Sequence, residues 1–309
     1  MRHTRLSALA FGLGLAVTAC ADATEPPLAA NLPAARDVES APGRAPAVSE
    51  ITLPNGVRLE YAEGGKPGGE PVIMLHGYTD SGYSFSRVLP RLNPNLHAFS
   101  LSQRGHGDSD RPLTGYASED FAADVDAFMA AKGIDRAVVV GHSMGSFIAQ
   151  TFAIRYPHRV KALVLVGSAT VAGNEVVLGL RDFVRTLTDP VDSTFVHEFQ
   201  ASTVFHPVPA DFLDAVVAES RKLPARVWID ALDGLVATDN APRLGEVAAP
   251  TLIVWGEHDS IFPRSEQDLL DAAIPNSTLL VYRETGHAPH WERPAEFTKD
   301  LEKFIQSLD

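Results

Sequence analysis

Ser143, an acid of the Glu257-to-Asp259 stretch and His287 are of the types that nucleophilic acyl transfer requires. A serine hydroxyl attacks a carbonyl only when a base removes its proton, and a neutral imidazole does this when a carboxylate holds it in the right tautomer. Ser143 sits in Gly141-His142-Ser143-Met144-Gly145, behind the apolar run Ala137-Val138-Val139-Val140 and ahead of Phe147 to Ala153, which reads as a helix. Strand, sharp turn and helix form the context in which G-x-S-x-G presents a nucleophile. The turn must hold the serine in a strained backbone, and side chains at 141 and 145 would collide with the neighbouring strand or helix, a clash that glycine removes. Asp259 closes Trp255-Gly256-Glu257-His258-Asp259 after a second apolar run, and His287 closes Glu284-Thr285-Gly286-His287 after a third. Glu257 is a rival acid. His142, His258 and His290 are rival imidazoles, each expected in a structural role, donating to a backbone carbonyl or lining a loop. His287-x-x-His290 has the spacing of a metal pair, but no third ligand is in view and no metal is expected.

Apolar stretches must position these groups: Val72 to Leu75, His97 to Leu101, Ala137 to Val140, Ala162 to Val166, Thr251 to Trp255 and Thr278 to Val281. Their hydrophobicity is continuous rather than alternating, which indicates strands buried on both faces, as in a parallel sheet. Between them, Phe121, Val125, Phe128 and Met129 fall on one helical face. Phe297, Leu301, Phe304, Ile305 and Leu308 do so at the C-terminus, behind Pro294, which suits a first turn. The alternation predicts a doubly wound α/β core. Folding is expected to begin near Glu50, with a hairpin of Ile51 to Leu53, the turn Pro54-Asn55-Gly56, and Val57 to Tyr61. Gly64 to Gly69 reads as a further turn.

From about Val171 to Asn240 the patterns are helical only. An insertion here, after the sixth strand, would sit above the strand C-termini, where an α/β sheet binds its ligands. It is expected to form a helical cap with Phe183, Phe195, Phe199, Phe205, Phe212 and Trp228 mainly as its own core.

The 309 residues suffice for one large domain, and the formal charge of -13 with no basic run points away from nucleic acid. A single cysteine excludes an intrachain disulfide. Its position is informative. Arg2 and Arg5 precede an apolar segment, Leu6 to Val17, and Val17-Thr18-Ala19-Cys20 resembles a bacterial lipobox. Residues 1 to 19 therefore read as a signal peptide, with Cys20 as the lipidated first residue of an exported, membrane-anchored protein. The stretch 20 to 49, rich in Ala and Pro, reads as a flexible tether, followed by a folded domain over 50 to 309.

Several motifs together carry a resemblance. Leu75-His76-Gly77-Tyr78 is similar to the oxyanion-loop motif of the α/β-hydrolase superfamily, and Arg104-Gly105-His106-Gly107-Asp108-Ser109 to the loop after its next strand. Gly286-His287-Ala288-Pro289-His290-Trp291-Glu292-Arg293-Pro294 is similar to its catalytic-histidine segment, and the order Ser143, Asp259, His287 is that of the superfamily. From about Ile51 to Leu308 the chain resembles a cap-bearing, serine-nucleophile member. The superfamily commonly has Asp where this chain has Gln103, which puts only local loop packing in doubt.

The resemblance implies Ser143 as nucleophile, His287 as general base, Asp259 rather than Glu257 as orienting acid, and an oxyanion hole of the Tyr78 and Met144 backbone N–H groups. It implies no cofactor. Haloalkane dehalogenases and epoxide hydrolases of this fold carry Asp at the elbow, so Ser143 sets the chain apart from them. The implied activity is hydrolysis of an ester or related acyl bond of a small apolar molecule. Carbon–carbon bond hydrolases and cofactor-free haloperoxidases share the triad, and a catalytically silent ligand-binding protein is the reading outside enzymes. The single Gly77 before bulky Tyr78 resembles the GX type of oxyanion loop, not the GGGX type associated with tertiary-alcohol esters.

Overall fold

The computed structural model describes residues 47 to 308. The expected signal peptide, Cys20 and most of the tether lie outside the described residues. In chain order the regular elements are β1 (Ala47–Thr52), β2 (Arg58–Gly65), β3 (Glu70–Leu75), β4 (Leu96–Leu101), α1 (Ser118–Ala131), β5 (Ala137–His142), α2 (Met144–Arg155) and β6 (Val160–Val166). Then come α3 (Glu175–Val184), α4 (Ser193–Ala201), α5 (Ala210–Ser220) and α6 (Ala225–Ala237), followed by β7 (Thr251–Gly256), α7 (Arg264–Ala273), β8 (Ser277–Tyr282), α8 (Pro289–Glu292) and α9 (Pro294–Gln306).

The strands form one eight-stranded sheet in the order β1-β2-β4-β3-β5-β6-β7-β8. β1 and β2 pair antiparallel, β2 joins β4 antiparallel, and every pairing from β4 to β8 is parallel. The period of two along each strand divides the sheet between two cores. Ile73, Leu75, Val139, Leu163, Leu165 and Ile253 enter the core shared with α1, α2 and the helices after β6. Val72, Met74, Val138, Val140, Val164 and Val254 enter the other, closed by Phe297, Leu301 and Ile305 of α9. Burial on both faces explains why β3, β5, β6 and β7 read as unbroken apolar runs; Thr278 to Val281 departs from that expectation, because β8 is the edge strand and only partly buried. The expected faces of α1 and α9 are the buried ones.

Two boundaries differ from expectation. Ala47, Val48 and Ser49, expected to fall in the tether, belong to β1, because their backbones pair with Glu63, Ala62 and Tyr61. Gly64 and Gly65 continue β2 opposite Ala98 and His97, and the turn is shorter than Gly64 to Gly69. Between β6 and β7 lie α3 to α6 and no strand. Of the aromatic residues in that insertion, Phe212 and Trp228 are buried, Phe195 and Phe199 partly so, and Phe183 and Phe205 are exposed.

Candidate active site

β5 delivers Ser143, and α2 starts at the next residue. Ser143 has φ 50 and ψ -120, a left-handed backbone that strains a residue with a side chain. Hydrogen bonds over-determine it: its N–H donates to the Val166 carbonyl at 2.9 Å, and its own carbonyl accepts the Ser146 N–H at 2.8 Å and the Ser146 hydroxyl at 2.6 Å. The flanking glycines are required by close approach. A Cβ on Gly141 would lie 2.2 Å from the Gly145 carbonyl oxygen, and one on Gly145 would lie 2.3 Å from that of Leu75 and 2.6 Å from that of His76. The first turn of α2 is thereby pressed against the loop that runs from β3 through His76 and Gly77 to Tyr78.

Asp259 follows β7 with its carboxyl fully buried. Oδ1 accepts the N–H groups of Ile261 at 2.8 Å and Phe262 at 3.0 Å, and Oδ2 accepts the hydrogen on His287 Nδ1 at 2.8 Å. A carboxylate only accepts, so this bond puts the imidazole hydrogen on Nδ1 and leaves the Nε2 lone pair free to take a proton. Nε2 is buried and makes no hydrogen bond within the protein. The His287 ring lies against the elbow: a Cβ on Gly167, next to the residue that holds the Ser143 N–H, would come within 2.9 Å of it.

The rival groups are otherwise engaged. Glu257 is exposed, and its carboxylate approaches only the Glu284 N–H, at 3.5 Å. His258 stacks on Phe205 with ring centroids 3.8 Å apart. His290 Nε2 meets the Ser84 hydroxyl at 3.1 Å, and His142 Nε2 donates to the His287 carbonyl at 3.1 Å. Burial pushes the His290 pKa down to about 3 and holds that of His142 well below the usual imidazole value, so both are neutral. Among the described residues no group of three or more His, Cys, Asp or Glu side chains could hold a metal ion.

The loop carrying Tyr78 is fixed from both sides. His76 Nε2 accepts the Gln103 N–H at 3.0 Å, its Nδ1 donates to the Gly77 carbonyl at 2.8 Å, and the Gln103 amide donates to the His76 carbonyl at 3.0 Å. Burial keeps His76 neutral, as accepting at Nε2 requires. Gln103, the departure from the superfamily pattern, thus holds the loop through its own amide. The Tyr78 hydroxyl donates to the Trp228 carbonyl at 2.6 Å, and its ring meets Phe199 and Trp228 edge-on, tying the loop to α4 and α6.

Sequence reasoning overlooked the groups that brace the histidine segment. The His287 N–H donates to the Thr203 carbonyl at 2.8 Å. The Glu292 carboxylate accepts the N–H groups of Gly286 at 2.7 Å, Phe205 at 3.2 Å and His206 at 2.8 Å. Glu292 lies inside the Gly286-to-Pro294 motif, which was the available signal. Thr203 contributes only a backbone carbonyl, and nothing in its residue type announces that.

Comparison with known proteins identifies the fold. The family model described as alpha/beta hydrolase fold matches residues 70–294. The chain belongs to that family. It is 27% identical over 271 residues to lipase 1 of Psychrobacter immobilis, covering 85% of each chain. It is 30% identical over 263 residues to the 2-hydroxy-6-oxononadienedioate/2-hydroxy-6-oxononatrienedioate hydrolase of Paraburkholderia xenovorans strain LB400, covering 81% of this chain and 91% of that one. An esterase from Exiguobacterium antarcticum has the same fold, with a TM-score of 0.74 and 23% identity over 84% of this chain and 99% of that one.

Proposed function

We propose that this hydrolase cleaves an ester or related acyl bond of a small apolar molecule through an acyl-enzyme on Ser143. The observation that carries the reading is the buried 2.8 Å bond that His287 Nδ1 donates to Asp259, with Nε2 unpartnered and the His287 ring 5.0 Å from that of His142, the residue before the strained serine. Ser143 Oγ attacks the carbonyl carbon while Nε2 takes its proton. The oxyanion is received by the N–H groups of Met144, at the free N-terminus of α2, and Tyr78. The imidazolium, stabilised by Asp259, returns the proton to the leaving alkoxide, and water then repeats the sequence on the acyl-enzyme. A fluorophosphonate probe is expected to label Ser143 stoichiometrically; an unlabelled folded protein would favour a silent ligand-binding role. The relative named for a dienedioate supports a second reading, in which the same triad hydrolyses a carbon–carbon bond. Assay of matched acyl esters against such a diacid separates the two.

In this reading α3 to α6 act as a cap. Tyr78, pinned to Trp228, crowds the oxyanion side, as in GX-type loops. Esters of primary alcohols are therefore expected to be cleaved and tert-butyl esters hardly at all. Comparable kcat/KM on matched ethyl and tert-butyl esters would count against this.

Export and lipid attachment at Cys20 complete the proposal. Several acyl chains on one residue anchor stably where a single chain binds marginally. The segment that follows would let the catalytic domain stand off the lipid surface. Cys20→Ala is expected to move the protein from the membrane fraction to the soluble fraction, or to leave it as uncleaved precursor, and to abolish palmitate labelling. A mature N-terminus at Ala21 or later without lipid would sink the anchor and leave the hydrolase reading standing.

A further inference from the structure

A second carboxyl lies buried beside the candidate triad and has no part in the mechanism above. Asp80, 1% exposed, follows the oxyanion loop, its N–H bonded to the Gly77 carbonyl at 3.1 Å. Its Oδ1 accepts the Gln200 amide of α4 at 3.0 Å, and that amide also meets the Ser220 hydroxyl of α5 at 2.8 Å. Its Oδ2 accepts the Ser84 hydroxyl at 3.2 Å and faces His142 Nδ1 at 4.0 Å. The ionisable groups that face it are His142 at the end of β5, His287, and His290 of α8 across Ser84.

His142 connects this carboxyl to the centre. Its Nε2 must carry a hydrogen, because its partner there is the His287 carbonyl, and the two rings lie 5.0 Å apart between centroids. Neutral His142 therefore turns a bare Nδ1 toward Asp80, and that Nδ1 has no other partner.

We infer that Asp80 is a positioning residue for the reaction at Ser143: when ionised it sets a second negative charge behind His142 that stabilises the imidazolium forming on His287. The inference rests on the acyl-transfer reading given above. Burial keeps His142 neutral, so of this pair only Asp80 titrates over the working range. Burial pushes the Asp80 pKa up to about 7, against the opposing hydrogen bonds of Gln200 and Ser84 and the attraction of a charged His287. That attraction acts both ways, so an ionised Asp80 stabilises positive charge that develops on the imidazole during the reaction. The sign follows. The rate gains from Asp80 as pH rises through about 7, and the gain is absent below it.

The test is the second-order rate of fluorophosphonate labelling from pH 5.5 to pH 9 in wild type and in Asp80→Asn. The two proteins are expected to label at equal rates in acid, with the wild type drawing ahead by about tenfold above neutrality, the scale of a partly screened charge pair. Gln200→Leu removes a bond that favours the carboxylate, so the step in the ratio of wild type to Asp80→Asn should move to higher pH when both carry it. A merely structural Asp80 would give a ratio independent of pH, which overturns the inference, as does a step that Gln200→Leu leaves in place. Labelling that survives Ser143→Ala would instead sink the acyl-transfer reading, so the two failures are distinct. Should Asp80→Asn not fold, the pH shift between wild type and Gln200→Leu decides alone, an unmoved profile counting against Asp80.

Discussion

Ser143→Ala and His287→Ala are each expected to lower kcat by roughly 10⁴- to 10⁶-fold with the fold intact, and the double variant to be scarcely worse than either. The reason is mechanical. Without the hydroxyl no acyl-enzyme forms, and without Nε2 the hydroxyl keeps its proton, so either loss removes the same step. Ser143 contributes no side-chain hydrogen bond that holds the elbow, which is built from its backbone and from Ser146. Alanine there relieves nothing and breaks nothing. Asp259→Asn is expected to cost about 10⁴-fold, because an amide can donate to Nδ1 and so favours the wrong tautomer. Glu257→Gln, at an exposed position, should cost little. Steady-state kinetics on a p-nitrophenyl ester checks all five, and a larger loss from Glu257→Gln than from Asp259→Asn would show that the orienting carboxylate was wrongly assigned.

Gly145→Ala is the second large effect, and it acts through backbone alone. The added methyl would sit 2.3 Å from the Leu75 carbonyl oxygen and 2.6 Å from that of His76, neither of them the end of a flexible side chain. Either α2 or the loop after β3 must retreat, and these two elements supply the Met144 and Tyr78 N–H groups. Overpacking of this kind costs about 1–3 kcal/mol, and a displacement near 1 Å at a reacting centre costs about 10²-fold in rate. A lowered Tm together with a kcat loss of that order is expected. Gly179→Ala supplies the contrast. That glycine lies within α3 with nothing within 4 Å of the added Cβ, so the change should raise stability by about 0.5–1 kcal/mol and leave kcat unchanged. Equal behaviour of the two variants would mean that the contact between the elbow and the oxyanion loop has no catalytic weight.

What the sequence alone determined is what short-range physics encodes. Unbroken apolar runs marked the central strands because both faces of the sheet are covered, and two glycines around Ser143 marked a turn too crowded for a Cβ. The order of serine, acid and histidine marked the candidate site, since each lies in a loop at the end of its own strand, β5, β7 and β8. Tertiary structure decided what depends on distant partners. β4 lies between β2 and β3, and no local pattern encodes that neighbour. Asp259, two residues from an equally acidic Glu257, reaches His287 because the turn bonds Asp259 N–H to the Gly256 carbonyl and His258 N–H to that of Thr285. Phe212 and Trp228 are buried while Phe183 and Phe205 are exposed, which periodicity could not foresee, because burial there is set by helices that meet only after folding. Asp80 reads as an ordinary loop acid in the chain. It becomes a buried carboxyl only when Gln200, 120 positions away, and His142 close over it.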